Sequence, residues 1–343
     1  MASSRFWPSS GVAIVIELLG RPLEQPIFDE LAIIGVGLIG SSVARAVRRR
    51  KAATRIVLAD RSEETLRRAQ ALVLGDETTS NLAGAVRNAD CVILCAPVGA
   101  NESIGRTIAP ALKSGAIVSD VGSVKGAVIS ALERVLPTHT HLVPAHPVAG
   151  TEQSGPDAGF AALFINRWCI LTPPEGANLD AVEKVYALWE ALGSHVEVMS
   201  AAHHDHVLAI TSHVPHLIAY NIVGTAADLE QVTRSEVIKF SAGGFRDFTR
   251  IAASDPTMWR DVFLHNKDAV LEMLGRFSED LTALQRMIRR GDGEGLFTLF
   301  TRTRAIRLGI VAQGQETAAA DFGRRSADAN GARLIRSSAN DDA

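Results

Sequence analysis

The chain has 343 residues, 47% of them hydrophobic, and 35 Lys and Arg face 38 Asp and Glu for a formal net charge of −3. That length suits two domains of about 100–200 residues each, and the near-neutral balance provides no basic field to recruit nucleic acid or an anionic membrane. Three cysteines, Cys91, Cys95 and Cys169, sit in apolar runs; an odd number so placed speaks for reduced thiols in a cytoplasmic protein and against a disulfide framework.

The opening stretch MASSRFWPSSGVAIVIELLG has an apolar run, but Glu17 interrupts it, Arg5 is its single basic residue, and no A-x-A site follows. Residues 1–28 are therefore expected to form a flexible extension rather than a secretory signal. No run reaches the roughly 18 apolar residues that a membrane helix needs, and no repeat of solenoid period is present. At the other end, residues 315–343 are rich in Ala, Ser, Asp and Arg without hydrophobic periodicity and read as a flexible tail.

From Leu31, LAIIGVGLIGSSVARAVRRR joins an apolar strand to a helix through Gly35, Gly37 and Gly40. Gly35 permits the sharp turn, Gly37 lets backbone approach a pyrophosphate, and Gly40 lets helix and strand pack closely; the helix N-terminus favours phosphate charge. A GxGxxG alone has little specificity. Here a second strand, RIVLAD, ends at Asp60, twenty residues past Gly40, where a carboxylate can accept hydrogen bonds from an adenosine ribose. Asp60 favours NAD over NADP by repelling a 2′-phosphate, whereas Arg61 and Ser62 are residue types that leave NADP possible. Leu38 and Ile39 within the turn, and Ala96 and Pro97 after the run CVILCAPV, complete the expected cofactor-binding set with Ser123.

Further apolar runs follow from Cys91, Ala116 and His141, each ending in a Gly- or Pro-rich loop, with helical segments between them. This alternation predicts a doubly wound α/β sheet of Rossmann type over residues 29–200, closing with CILTPPEG, a helix and the strand HVEVMS. Ligands on such sheets sit beyond the carboxyl ends of the strands, so Ser123 and Lys125 in DVGSVKG and His146 in AHPVAGTEQSG share one candidate crevice. Each also has a plain alternative: a helix cap, a solvated lysine, a loop histidine satisfied by backbone. From residue 201 to 314 helical periodicity takes over, which predicts an all-helical second domain. Its first segment, HHDHVLAITSHVPH, holds five of the ten histidines, His203, His204, His206, His213 and His216. None of their pairs has the i, i+4 spacing of a helical zinc site, so the expectation is no metal, with one or two imidazoles facing the crevice and the others packing.

The segments DVGSVK, AHPVAGTEQSG, LAITSHVPHLIAYNIV and KFSAGGFRDFTRIAASDPTMWRDVFLHNK resemble the signature segments of the prephenate/arogenate dehydrogenase family of tyrosine biosynthesis, in the same order, across about Leu31 to Gly314. The resemblance implies an NAD-dependent oxidative decarboxylation of prephenate or arogenate, in which hydride leaves ring C4 and the C1 carboxylate leaves as carbon dioxide. By the same resemblance, His146 takes the hydrogen bond of the substrate hydroxyl and Ser123 holds that hydroxyl and the histidine. His213 positions substrate, and Arg250 grips a substrate carboxylate with Arg246 as a secondary cation. Thr151 and Glu152 flank the pocket, Glu152 pairing with the arginine, while Trp259 and Asp247 stand near the site across a homodimer formed by the helical domain. The alternatives for the last two are a core aromatic and a helix cap. The resemblance further implies a monofunctional chain.

Two other readings compete. A β-hydroxyacid dehydrogenase would need a catalytic Lys on the first helix of the second domain, and HHDHVLAITSHVPH has none. A non-catalytic NAD sensor would keep the glycine turn but has no use for Ser123, His146, His213 and Arg250 as a set.

Overall fold

The computed structural model describes residues 22–151, 153–233 and 242–312. The first half alternates strand and helix: β1 (Phe28–Ile34), α1 (Leu38–Arg50), β2 (Ala53–Ala59), α2 (Glu63–Ala71), β3 (Glu77–Thr79), α3 (Leu82–Val86), β4 (Cys91–Leu94), α4 (Asn101–Ile108), β5 (Ile117–Asp120), α5 (Gly126–Glu133) and β6 (His141–Leu142). The six strands form one parallel sheet in the order β3-β2-β1-β4-β5-β6. The order reverses between β1 and β4, and the crevice beyond their carboxyl ends is where such sheets receive a ligand.

The strands are nearly continuous apolar runs because both sheet faces are covered. On one face Leu31, Ile33, Leu58 and Ile93 pack with Val43, Val47, Phe164, Leu188 and Trp189. On the other, Ile34, Val92, Leu94 and Val118 meet Ile108, Val128 and Leu132, and this cluster extends to Trp259 and Val262 of the second half.

Two features depart from the sequence expectation. The run HLVPAHPVAG does not make one strand: β6 stops after two residues, and β7 (Ala145–Pro147) leaves to pair antiparallel with β8 (Trp168–Leu171). Pro144 between them has no N–H to donate to a ladder, which ends the parallel pairing there. After α6 (Leu179–Ala191), β9 (His195–Val198) pairs parallel with β8, so a separate three-stranded sheet β7-β8-β9 closes this half. The extension expected over residues 1–28 is also corrected at its end. Leu23 and Ile27 pack on the core, their N–H groups donate to Arg50 O and Ala52 O, and Phe28 is buried in β1. Apolar side chains that cover the base of α1 gain more from burial than from chain freedom. Residues 1–21 and the tail expected over 315–343 lie outside the described residues.

From Ala201 onward the described residues are helix and connecting turns: α7 (Ala201–Leu208), α8 (Val214–Thr233), α9 (Gly243–Thr249), α10 (Pro256–His265), α11 (Lys267–Arg290) and α12 (Gly293–Ala312). Ser200 caps α7 by accepting from His203 N–H, and Asp255 caps α10 with Pro256 as first helical residue. Between α7 and α8 the chain makes a wide π-helical turn, Ala209–His213. Pro215 lacks the N–H that would complete the ordinary ladder, and the wider turn takes up the mismatch. The helical run Ala201–Asp228 is long and apolar enough by length and composition alone to cross a membrane, a test that a core helix also passes. It packs against protein through His204, Leu208, Ala209, His213, Val214 and Ala219, all buried.

Candidate active site

The glycine turn between β1 and α1 is a cradle shaped by close backbone approach. Gly35 has φ +94°, and a Cβ there would lie 2.6 Å from Cys95 O; a Cβ on Gly40 would lie 2.0 Å from Gly35 O. A Cβ on Gly37 meets no atom within 4 Å, so this glycine borders open space on the ligand side. Ser41 N–H to Gly37 O is the first intrahelical bond of α1, which leaves the N–H groups of Leu38, Ile39 and Gly40 without intrahelical acceptors. Asp60, just past β2, accepts from Val36 N–H through Oδ2 and from Ser62 N–H through Oδ1, each at 2.9 Å, which ties the turn to the neighbouring strand end. Ser62 Oγ is engaged as the cap of α2, accepting from Thr65 N–H, and Arg61 is exposed. Ala96 and Pro97 follow β4 on the same edge of the sheet. An open glycine, three outward N–H groups and a carboxylate one strand away fit a dinucleotide.

Across the crevice, β7 presents His146, buried, with Nδ1 2.8 Å from His204 Nε2 of α7; the rings meet edge to face. His204 Nδ1 is in turn 2.8 Å from Asp205 Oδ1. The Asp205 carboxylate also accepts the N–H groups of Lys125 and Gly126, both at 2.8 Å, and so caps α5 from the other half of the molecule. Lys125 is not a solvated lysine. It is wholly buried, and its Nζ donates to Asp120 Oδ2 at 2.5 Å and to Ala145 O at 2.6 Å, clamping the end of β5 to the residue before His146. Burial holds the His146 imidazole well below its ordinary pKa, with the nearby His204, Lys125 and His213 adding to the effect.

His213, on the π-helical turn, is buried with Nδ1 3.0 Å from Asn266 Nδ2, and Asn266 also donates to Asp205 O at 2.8 Å. His213 Nε2 is buried and makes no hydrogen bond of full geometry, with the Ser123 backbone near enough to the imidazole to favour its protonated form slightly. Burial pushes its pKa down to about 4. Trp259 of α10 stacks on His216 at 3.7 Å between ring centroids and stands edge-on to His213, so within its own chain it is a core aromatic that also walls the histidine cluster. Burial, with the charge of Arg250 as a smaller contribution, holds His216 below its usual value, which places Arg250 beside this wall.

Other expected residues stand apart. Arg246 and Asp247 are both exposed on α9 and face each other at 3.7 Å; Ala242 stands at the N-cap position, with no side-chain cap bond, and Asp247 lies inside the helix. Thr151 is exposed, its hydroxyl accepting from Gln153 N–H, and Glu152 lies outside the described residues. Ser123 is half-buried in the turn between β5 and α5, while the Nδ1 of His146 is taken by His204 rather than by Ser123. Among the described residues no group of His, Cys, Asp and Glu is arranged to hold a metal ion. Sequence reasoning missed His204, Asp205 and Asn266 as parts of the site; the dipeptide His204-Asp205 at a helix start was their one visible sign.

The family profile "Prephenate dehydrogenase, nucleotide-binding domain" matches residues 43–198, and "Prephenate dehydrogenase, dimerization domain" matches residues 200–302. A cyclohexadienyl dehydrogenase from Zymomonas mobilis subsp. mobilis is 46% identical over 83% of this chain and 97% of its own length. A prephenate dehydrogenase from Bacillus subtilis is 34% identical over 82% of this chain and 76% of its own length. The crystal structure of prephenate dehydrogenase from Aquifex aeolicus in complex with hydroxyphenyl propionate and NAD+ aligns with a TM-score of 0.78 at 35% identity, covering 84% of this chain and 99% of that one. The chain belongs to the prephenate dehydrogenase family.

Proposed function

We propose that this protein carries out the oxidative decarboxylation of prephenate to 4-hydroxyphenylpyruvate in tyrosine biosynthesis, with arogenate, the amino analogue, as a second substrate. The observation that carries this reading is the pairing of the open glycine cradle with a buried, neutral His146 across the same crevice. NAD is the cofactor, and when bound it supplies the hydride acceptor. The protein's part is placement and proton handling, because aromatisation of the ring drives the reaction. His146 accepts the hydrogen bond of the C4 hydroxyl as that carbon gives up hydride. The C1 carboxylate then leaves as carbon dioxide, the ring becomes aromatic, and the shared proton stays with the phenolic oxygen.

A base whose pKa lies below the working pH is free to accept a proton, which is the state that burial imposes on His146. His213 presents a buried nitrogen to the substrate. Arg250 meets a substrate carboxylate, a task suited to a planar guanidinium, with Ser123 beside the hydroxyl, Thr151 at the rim, and Arg246 as an outer cation. Asp60 directs the site to NAD in preference to NADP. A second copy of the chain covers the apolar outer face of α11 and α12, where Phe297 and Phe300 are exposed, in line with the dimerization domain that the family description names. The free cysteines, Cys91 and Cys169 buried, accord with a cytoplasmic setting.

The test is the initial rate of NAD reduction by purified protein given prephenate or arogenate separately, with NAD or NADP. Turnover is expected with NAD and to fall by about 10²–10⁴-fold in His146→Ala, with NAD binding kept. Absence of turnover with both substrates removes the reading.

A further inference from the structure

The two site histidines are held by different neighbours, and those neighbours leave only one consistent arrangement of ring protons. Asp205 takes three N–H donors, from Lys125, Gly126 and His204, so its carboxylate is purely an acceptor and His204 Nδ1 carries hydrogen. The 2.8 Å contact between His204 Nε2 and His146 Nδ1 needs one donor. Were His204 to donate, it would be an imidazolium with no exposed surface, close to the buried Lys125 cation. The neutral alternative has His146 Nδ1–H donating to the His204 lone pair, which leaves the lone pair of His146 on Nε2. The opposite holds at His213. Asn266 Nδ2 donates to Asp205 O, a group that can only accept, so the orientation of the amide is fixed. The second hydrogen on Nδ2 then points to His213 Nδ1, which must be the acceptor, and the hydrogen of His213 sits on the buried Nε2, on the side of the Ser123 backbone, whose accepting oxygen favours an N–H there.

We infer that His204 and Asn266 are positioning residues that lock His146 and His213 in opposite tautomers, His146 offering a lone pair at Nε2 and His213 offering an N–H at Nε2, with Asp205 anchoring both through its carboxylate and its carbonyl. This rests on the reading that both imidazoles face the substrate, and it assigns each a different duty. His146 reads the hydroxyl as a donor, and His213 reads an oxygen acceptor of the same molecule. Asp205 also caps α5, so the half that carries His146 and the half that carries His213 share one anchor.

The tautomers are read directly from long-range proton–nitrogen correlation spectra of the full chain labelled with ¹⁵N-histidine, saturated with NAD near neutral pH, the two residues assigned by loss of signals in His146→Ala and His213→Ala. The expected pattern is protonated Nδ1 on His146 and protonated Nε2 on His213; either reversed, or both averaged, overturns the inference. Kinetics supply an independent arm. His204→Leu removes the acceptor and is expected to lower kcat by about 10²-fold with KM nearly unchanged, because a base in the wrong tautomer is lost to catalysis. His204→Gln, whose carbonyl can accept from His146, should recover most of that rate and covers the case in which the leucine variant misfolds. Asn266→Asp should turn the His213 tautomer over and raise KM by about tenfold, the worth of one good hydrogen bond. Unchanged kinetics in both His204→Leu and Asn266→Asp overturn the inference. The expected spectra without turnover on prephenate or arogenate would instead overturn the substrate reading and leave the tautomers standing.

Discussion

The two halves of the molecule bury their apolar residues in different ways. The nucleotide-binding half has a core on each face of its sheet, anchored by side chains such as Trp189, Phe164, Leu94 and Ile108 with essentially no exposed surface. In the helical half, the separate cluster contains four fully buried residues, Ala209, Val214, Val270 and Met273, while Phe297, Phe300, Ile306 and Leu308 are more than half exposed. Alongside its few buried apolar residues the helical half buries polar ones, His204, His213, Asp261 and Asn266. The first half carries its own sheet core, with Trp259 and Val262 of the second half joining one face of it and Asp205 capping α5. The second places hydrogen-bonding groups over that sheet and leaves a broad apolar surface uncovered in the single chain, Phe297 and Phe300 among it.

The comparison breaks most sharply at Gly40. A Cβ there would stand 2.0 Å from the Gly35 carbonyl oxygen, a backbone atom of the same turn, so nothing flexible can move aside. Gly40→Val is expected to cost about 3 kcal/mol or more and to abolish NAD binding, read by urea unfolding and by calorimetric titration with NAD. Full stability in this variant would mean that the packing of helix on turn does not hold the first half together.

Next in size is the outer face of the helical half. Replacing both Phe297 and Phe300 by Asp is expected to leave monomers in sedimentation equilibrium, with NAD still bound because the cradle lies wholly in the first half. On a surface that merely faces water, such changes would stay within about 0.5 kcal/mol each. An unaltered oligomeric state would show that the exposed phenylalanines serve some other end.

A smaller effect is expected on acidification, and it falls on the seam between the halves. His146 and His213 both have folded pKa values below the ordinary 6.5, His213 at about 4. The unfolded chain therefore binds more protons than the folded one in that window, and the slope of stability with pH is positive there. The contribution is fully present above about pH 6.5 and is lost as the pH falls toward about 4. Urea midpoints measured across this range should drop for the native chain and drop less for His213→Gln. The same depression keeps His146 in its basic form below neutrality, so kcat/KM should hold at pH 6 rather than fall at 6.5.

The sequence was most legible where the chemistry is local. Gly35, Gly37, Gly40 and Asp60 announce a phosphate-binding turn because its constraints act between residues a few positions apart or at a fixed strand length. The parallel sheet followed from unbroken apolar runs. The pairing of His146 with His204 was not legible, since 58 residues separate them, and neither was that of His213 with Asn266, 53 apart. Such contacts depend on how two domains dock, which no periodicity encodes. The partners of Lys125 were hidden for the same reason: the sequence placed it at the crevice with a solvated lysine as the alternative, and only the fold shows Asp120 and Ala145 O binding it. The splitting of HLVPAHPVAG had a visible cause in Pro144, but the new partner of β7 lay downstream, in β8.

The smallest expected effect concerns cofactor choice, and it sharpens the claim that the first half is a rigid scaffold. Asp60 has two duties, and they separate on substitution. Its oxygens accept from Val36 N–H and Ser62 N–H, which is structural, while its negative charge opposes a phosphate on the adenosine ribose. Asp60→Asn keeps one acceptor and removes the charge. If repulsion governs selectivity, kcat/KM with NADP should rise relative to NAD by about tenfold, or ~1.4 kcal/mol, aided by the exposed Arg61. If the hold on the turn governs instead, both cofactors should lose affinity together and their ratio should stay fixed. The ratio of the two rates, measured with one substrate under one condition, decides between them, because a loosened cradle affects both dinucleotides equally and a removed charge does not.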